Sequence, residues 1–162
     1  MTEPRWLDER EGRMWVAFLR MQRAIEVAVD RQLGAAGMTR AEYEVLVPLS
    51  TAEERTLRVR DLGAWLNWDR SRISHQLRRM EQRGLITRAD CVTDGRGTMV
   101  RLTDKGYEKI AAAAPGHVET VRAVLVDRLS PAEIDQLATI AERVAAAEGY
   151  AHVPFPSPDD RS

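Results

Sequence analysis

The chain has 162 residues, 30% of them charged, with a formal net charge of −1. That length suits one domain, or one domain with an extension. No apolar run approaches the roughly 18 residues of a membrane span, and the start MTEPRWLDERE lacks the apolar segment of a secretion signal. The single cysteine, Cys91, excludes an intramolecular disulfide and suits a reducing compartment. We therefore expect a compact cytoplasmic protein without membrane contact.

The charges are distributed unevenly along the chain. Residues 58 to 101 contain ten arginines and five acidic residues, a local charge of +5, so the total of −1 leaves −6 for the rest. Arginine suits phosphate and base-edge recognition because its planar guanidinium donates several hydrogen bonds. We interpret the segment as a nucleic-acid-binding surface on an acidic body. A solvated, salt-bridged surface is the simpler alternative.

Two helices are expected in the N-terminal third of the chain. Apolar residues recur at three- and four-residue steps from about Asp8 to Leu33, which predicts a long amphipathic helix. Thr39 and Glu42 have the spacing of a capping box, so a second helix should begin there and end near Ser50.

The central third has the pattern of a helix-turn-helix followed by a hairpin. Short helices are expected at 59–66 and 69–83, joined by Asn67-Trp68. The segments 85–88 and 99–102 then read as two strands. The expected fold is mainly α: a winged helix-turn-helix with a two-stranded wing, flanked by N- and C-terminal helices.

The C-terminal part is expected to hold two more helices. The first runs from Thr103 to about Leu129, and Pro115-Gly116 should kink or break it. The second begins at Ser130, a helix cap followed by proline, and buries an apolar stripe. That stripe comprises Ile134, Leu137, Ile140, Ala141 and Val144. The expected segments are therefore 1–37, 38–104, 105–148 and a flexible tail at 149–162.

The helix at 69–83 has the composition of a recognition helix. Its polar face lies opposite Ile73, Leu77 and Met80, and should enter the major groove of double-stranded DNA. The candidates for base and phosphate contacts on and beside this face are Arg70, Ser71, Arg72, Ser74, His75, Arg78 and Arg79. An ordinary solvated helix face is the alternative interpretation.

The turn DGRG presents Arg96 between Gly95 and Gly97. An arginine at a narrow hairpin tip is placed to enter a minor groove, where narrow A·T-rich stretches attract it. Asp94 could bond the guanidinium and fix its direction. The alternative is a tight Asp-Gly hairpin whose arginine is merely solvated.

Residues 57–106 resemble the winged helix-turn-helix of the MarR (multiple antibiotic resistance regulator) family. The wing pattern of the family is matched by Asp94, Arg96, Gly97, Val100, Leu102, Thr103 and Gly106, and its recognition-helix pattern by residues 69–74, Leu77 and 83–85. The long flanking helices match in order and length. The chain departs from the family at His75, where many members have arginine, and in its proline-rich tail.

The resemblance implies a homodimeric repressor that reads a pseudo-palindromic operator and releases it when a small, often aromatic or phenolic, ligand binds. The implied dimer contacts are Trp15, Ile134, Leu137, Ile140 and Val144. The implied ligand-binding residues are Trp15, Phe18, Met21 and Tyr43. Aromatic residues at helical spacing also suit a plain hydrophobic core, which is the alternative for this second set.

Two other functional interpretations remain open. Cys91 lies in the first wing strand, so a redox-responsive regulator is an alternative, although redox-sensing relatives carry the reactive cysteine in their N-terminal helix. A helical interaction module that does not bind DNA is the other. His75, His117 and His152 are too scattered to form a metal site with Cys91. No phosphate loop or nucleophile elbow occurs, so we expect neither an enzyme nor a cofactor.

Overall fold

The computed structural model describes residues 3–90 and 97–149. In these ranges the helices are α1 (Glu9–Ala35), α2 (Arg40–Thr51), α3 (Val59–Leu66), α4 (Arg70–Gln82), α5 (Asp104–Val124) and α6 (Pro131–Ala147). The strands are β1 (Thr56–Arg58), β2 (Ile86–Asp90) and β3 (Thr98–Leu102). Short 3-10 helices cover Glu53–Arg55 and Val126–Arg128. The expected mainly α fold, with a helix-turn-helix followed by a hairpin, is confirmed.

The sheet has one strand more than the sequence predicted. Its order is β1-β3-β2 and both pairs are antiparallel. Val100 stands at the centre, opposite Leu57 on one side and Arg88 on the other. The additional strand β1 is three residues long, so it lacks an alternating pattern and forms only through its pairing with β3.

Side-chain caps begin the helices where the sequence predicted them. Thr39 and Ser130 each form a complete capping box, and so does Asp8 at the start of α1. A capping box satisfies amide donors that the first helical turn otherwise leaves without a partner. Gly84, just beyond α4, has a φ of 71°, a left-handed conformation that glycine adopts without strain.

The sequence predicted a kink or a break at Pro115, and the break does not occur, because helix α5 continues through this residue. Proline removes one backbone hydrogen bond, but packing of the preceding turns holds this helix together. Ile110 and Ala113 are buried in the core, and the Gln32 side-chain amide donates to the Ala113 carbonyl at 3.3 Å. The helix ends at Val124 rather than near Leu129, because the chain tightens there into a 3-10 turn.

The hydrophobic core lies between the C-terminal half of α1, helices α2 to α5 and the sheet. Its largest fully buried side chains are Leu33, Leu46, Leu49, Leu62, Leu77, Met80, Leu85 and Ile86. Nothing in α6 belongs to it, since no residue of that helix is buried. The expectation that α6 buries its apolar stripe is therefore wrong within one chain: Ile134, Ile140 and Val144 are 39%, 49% and 59% exposed.

Within the described residues, none of the helices combines the length and apolarity needed to cross a bilayer. The same residues contain no cluster of three or more His, Cys, Asp or Glu side chains that could hold a metal ion.

Candidate nucleic-acid interface

The turn between α3 and α4 is fixed by three local interactions. Asn67 ends α3 in the left-handed conformation, with a φ of 51°. The Trp68 amide donates to the Gly63 carbonyl at 2.9 Å. The Asp69 carboxylate caps α4 by accepting the Arg72 amide at 2.9 Å. Together these bonds set the angle at which α4 leaves the body of the protein.

Helix α4 has one face in the core and one face in solvent. Ile73, Leu77 and Met80 are buried as the sequence predicted, and Gln76 joins them at 8% exposure. The predicted contact residues that are exposed are Arg70, Ser71, Arg72, His75, Arg78 and Arg79. Ser74 is half-buried. The structure therefore gathers seven predicted residues on one helix and leaves six of them accessible.

Seven of the ten arginines of the basic segment can be divided into two groups by their ion pairs. Arg60, Arg83 and Arg88 pair with Asp61, Glu42 and Glu81, respectively. Arg70, Arg72, Arg78 and Arg79 form no ion pair within the part of the chain that the structure describes. The unpaired charge is therefore concentrated on α4, where a polyanion could neutralise it.

The Arg83–Glu42 pair ties the end of the candidate recognition helix to the start of α2. Glu42 is only 4% exposed, and its carboxylate also accepts the Thr39 amide at 2.9 Å. A second Arg83 nitrogen donates to the Gly37 carbonyl at 3.3 Å. Burial of a carboxylate is costly unless a charged partner compensates it, so Arg83 is a structural residue.

Trp68 and Arg72 form a contact that the sequence analysis missed. The guanidinium carbon of Arg72 lies 4.1 Å from the centroid of the Trp68 ring system. Trp68 lies in the turn before α4, and Arg72 follows four positions later in the first turn of that helix. An aromatic residue four positions before an arginine is a local signal that could have indicated this contact.

Glu44 of α2 also lies near Arg72. Burial raises the pKa of the Glu44 carboxyl, while the nearby Arg40 and Arg72 act to lower it. A cavity of about 400 Å³ opens between α2 and α4, lined by Ala41, Trp68, Asp69, Ser71, Arg72, His75 and Gln76. The N-terminal end of α4 is therefore bordered by a carboxylate and an open recess.

The wing is anchored at its base, while its predicted tip is not described. Asp94, Arg96 and Cys91 lie outside the described residues, so the predictions for them remain predictions. At the base, Glu81 of α4 accepts a bond from the Arg88 Nε at 3.0 Å, and this bond lowers the Glu81 pKa. The wing strand β2 is thereby linked to the candidate recognition helix.

The start of α5 packs closely against the base of the wing. The Thr103 hydroxyl donates to the Gly84 carbonyl at 2.7 Å and accepts the Gly106 amide at 3.0 Å. A Cβ on Gly106 would lie 2.2 Å from the Leu85 carbonyl oxygen. The Leu-Thr-x-x-Gly pattern therefore permits close contact between α5 and the chain entering β2.

The four predicted ligand-binding residues fall into two groups within one chain. Trp15 and Phe18 stack on the outer half of α1, with centroids 5.9 Å apart, and Met21 follows on the same helix. Tyr43 contacts His117, with ring centroids 4.4 Å apart. His117 lies beside Gly116, which faces Gln32. Phe18 and Gln32 are about 21 Å apart along a straight helix, so Phe18 lies well away from the part of α1 that faces Gly116.

His117 and Gln32 each bury a polar atom for which no partner is found among the described residues. These atoms are the His117 Nδ1 and the Gln32 Oε1. Burial lowers the pKa of His117. The junction of α1, α2 and α5 therefore holds two half-buried polar side chains beside the apolar core.

The predicted dimer contacts lie at the surface. Trp15 is exposed on α1, and on α6 Leu137 is half-buried while its apolar neighbours Ile134, Ile140 and Val144 are exposed. Further large apolar side chains are exposed on α1 and α5: Met14, Val16, Phe18, Leu19 and Val118. An isolated protomer thus leaves an extensive apolar surface in water.

A helix-turn-helix followed by a hairpin, with a basic exposed face on its second helix, defines the winged helix-turn-helix class. Comparison with known proteins narrows this class. A model described as the MarR family matches residues 36–97. Sco3205, a MarR family transcriptional regulator from Streptomyces coelicolor solved in complex with DNA, is 40% identical, with a TM-score of 0.86 over 90% of this chain and 91% of that one. The chain belongs to the MarR family.

Two further relatives agree with this assignment. AbsC, a MarR family transcriptional regulator from Streptomyces coelicolor, is 34% identical, with a TM-score of 0.86 over 89% of this chain and 97% of that one. The organic hydroperoxide resistance transcriptional regulator of Bacillus subtilis is 41% identical over 68 residues, which make up 41% of this chain and 46% of that protein. The chain spans about half the length of the Bacillus subtilis relatives that it matches. The family consists of regulators rather than enzymes, in agreement with the sequence-based expectation.

Proposed function

We propose that the protein is a homodimeric transcriptional repressor that binds double-stranded DNA in a sequence-specific manner. The observation that carries this proposal is the exposed face of α4, where four arginines without ion pairs in the described chain surround Ser71 and His75. A capped helix that buries one face and offers arginine, serine and histidine on the other suits the major groove. The similarity to a relative solved with DNA supports the proposal.

The contacts divide into two kinds according to position. Arg70 and Arg72, beside the N-terminal turn of α4, contact phosphates and set the register of the protein on the duplex. Ser71, Ser74, His75 and Arg78 contact base edges, while Arg79 lies at the border of this surface. Asp94 and Arg96 belong to the proposed wing tip, where Arg96 enters the minor groove and Asp94 orients it.

The apolar surface of α1 and α6 provides the proposed dimer interface. Trp15, Ile134, Leu137, Ile140 and Val144 are exposed or half-buried in one chain, and a twofold contact would remove them from water. Two α4 helices related by such an axis would read an inverted repeat with half-sites about one helical turn apart.

A small aromatic or phenolic ligand is the proposed signal for release. The proposed cleft lies between the dimerisation helices and the winged domain, and its candidate lining residues are Trp15, Phe18, Met21 and Tyr43. A ligand in that cleft would change the relative positions of the two α4 helices, and with them the fit to adjacent major grooves.

Selection of bound fragments from genomic DNA tests this function. We expect the retained fragments to share an inverted repeat whose halves are about 10 base pairs apart. The Arg78→Ala variant should retain fragments with a relaxed preference at one position in each half. Retention of fragments without any shared sequence would contradict specific repression, and the absence of retained fragments would favour the non-DNA-binding interaction module.

A further inference from the structure

We propose that Trp68 is a positioning residue of the DNA-binding surface: its indole face holds the Arg72 guanidinium so that the guanidinium edge meets a DNA phosphate. The inference rests on the proposed function, because it concerns how one contact of the same surface is made. Trp68 itself need not touch DNA in this arrangement.

The position of the indole is set by the body of the protein. Trp68 is half-buried and packs against the hydrophobic core. Its amide is bonded to the Gly63 carbonyl at 2.9 Å, and the left-handed Asn67 precedes it. The ring therefore belongs to the rigid turn between α3 and α4.

The Arg72 side chain is exposed, yet it lies on this fixed surface. Its guanidinium carbon is 4.1 Å from the Trp68 ring centroid, within the range of a cation–π contact. The Arg72 amide is held as well, through the Asp69 cap at 2.9 Å. Both ends of this long side chain are thus restrained before any ligand arrives.

The geometry of stacking explains why this restraint favours phosphate binding. A guanidinium that contacts an aromatic face uses its own face, while its five N–H donors point outward in the plane of the group. Those donors remain available for the paired oxygens of a phosphate. Arginine loses considerable rotamer freedom when it binds, so a prearranged side chain binds at a smaller entropic cost.

The test is a double-mutant cycle on the operator duplex, measured by fluorescence anisotropy at several salt concentrations. We expect Trp68→Leu, which keeps an apolar side chain but loses the aromatic face, to weaken binding about two- to fivefold. Trp68→Phe should restore most of the affinity. Arg72→Ala should weaken binding and reduce the salt slope by about one. In the Arg72→Ala background, Trp68→Leu should cause little further loss.

Two controls separate positioning from folding. Trp6→Leu removes a tryptophan that is 82% exposed and distant from α4 in sequence, and it should leave the affinity unchanged. In the free protein, the Arg72 Nε–Hε resonance should show an aromatic ring-current shift that Trp68→Leu abolishes and Trp68→Phe retains. This NMR measurement does not depend on DNA.

Three outcomes would overturn the inference. The first is an equal loss from Trp68→Leu in both backgrounds, which indicates a general structural role. The second is specific binding that is unaffected by Arg72→Ala, which leaves the proposed function intact but removes the phosphate contact. The third is a wild-type chain that binds no duplex, which overturns the inference and the proposed function together.

Discussion

Gly106 of α5 lies directly against the backbone of Leu85, so that a Cβ at position 106 would be 2.2 Å from the Leu85 carbonyl oxygen and 2.7 Å from a methyl carbon of Leu102. The obstructing oxygen belongs to the backbone and cannot rotate away. This contact joins the segment before β2, at the start of the wing, to helix α5, which follows the wing. The close packing at this junction therefore leaves little space for α5 to move relative to α4.

We expect Gly106→Ala to destabilise the protein by about 1–3 kcal/mol, because the added methyl group forces α5 away from the wing. Gly116→Ala is the matched control in the same helix. There the nearest atom, at 2.9 Å, is the Gln32 side-chain nitrogen, which can move at the cost of its bond to the Ala113 carbonyl, so the loss should stay below about 1 kcal/mol. Urea denaturation measures both free energies of unfolding. Equal losses in the two variants would contradict the close contact at Gly106.

Arg83→Ala should destabilise the protein by about 2–3 kcal/mol, because it leaves the buried Glu42 carboxylate without its cation. Arg60→Ala removes an arginine from the exposed pair with Asp61 and should change stability by less than about 0.5 kcal/mol. Thermal and urea unfolding provide the comparison. A small loss from Arg83→Ala, similar to that of Arg60→Ala, would show that Glu42 does not need this partner.

His117 should make folding sensitive to pH. Burial lowers its folded-state pKa, so below the unfolded-state pKa of about 6.5 the unfolded chain binds more protons than the folded one. The contribution of neutral His117 is therefore present above about pH 6.5 and is lost as the pH falls through the lowered folded-state value. His117→Phe preserves a ring against Tyr43 and removes this titration. Between pH 7.5 and 5, stability should fall more steeply for wild type than for the variant, whereas parallel curves would refute the assignment.

Ile140→Glu should convert the proposed dimer into monomers, since it places a charge within the apolar stripe of α6. Thr139→Glu introduces the same charge on a different side of the helix and should leave the dimer intact. Sedimentation velocity at micromolar concentration distinguishes the two states. If both variants sediment like wild type, α6 is not part of the interface.

The elements that the sequence predicted well have local signals. The helices that begin at Arg40 and Arg70 follow a capping threonine and a capping aspartate, and α3 has the predicted bounds. The two faces of α4 could be assigned from the helical repeat of 3.6 residues. This repeat puts Ile73 and Leu77 on one side of the helix and the arginines on the other. For such features, a few neighbouring residues contain the information.

Most of the features that were missed depend on residues that are distant in the sequence. Strand β1 forms through pairing with β3, more than forty residues away, and the Glu42–Arg83 pair spans a separation of 41 residues. The apolar residues of α6 recur at helical spacing, which indicates that they share one face of the helix. The spacing does not indicate the surface against which this face packs. Tertiary packing also keeps α5 continuous at Pro115, where the local preference is for a break.

The central claim is that two exposed α4 faces on one dimer recognise a specific duplex. The most direct measurement is an anisotropy titration of the wild-type protein with the selected inverted repeat, and with a duplex of the same composition in scrambled order, at physiological salt. We predict that the inverted repeat binds at least about 1,000-fold more tightly and that Arg78→Ala reduces this ratio by about five- to 150-fold. Equal affinity for the two duplexes, or a ratio that Arg78→Ala leaves unchanged, would contradict the claim.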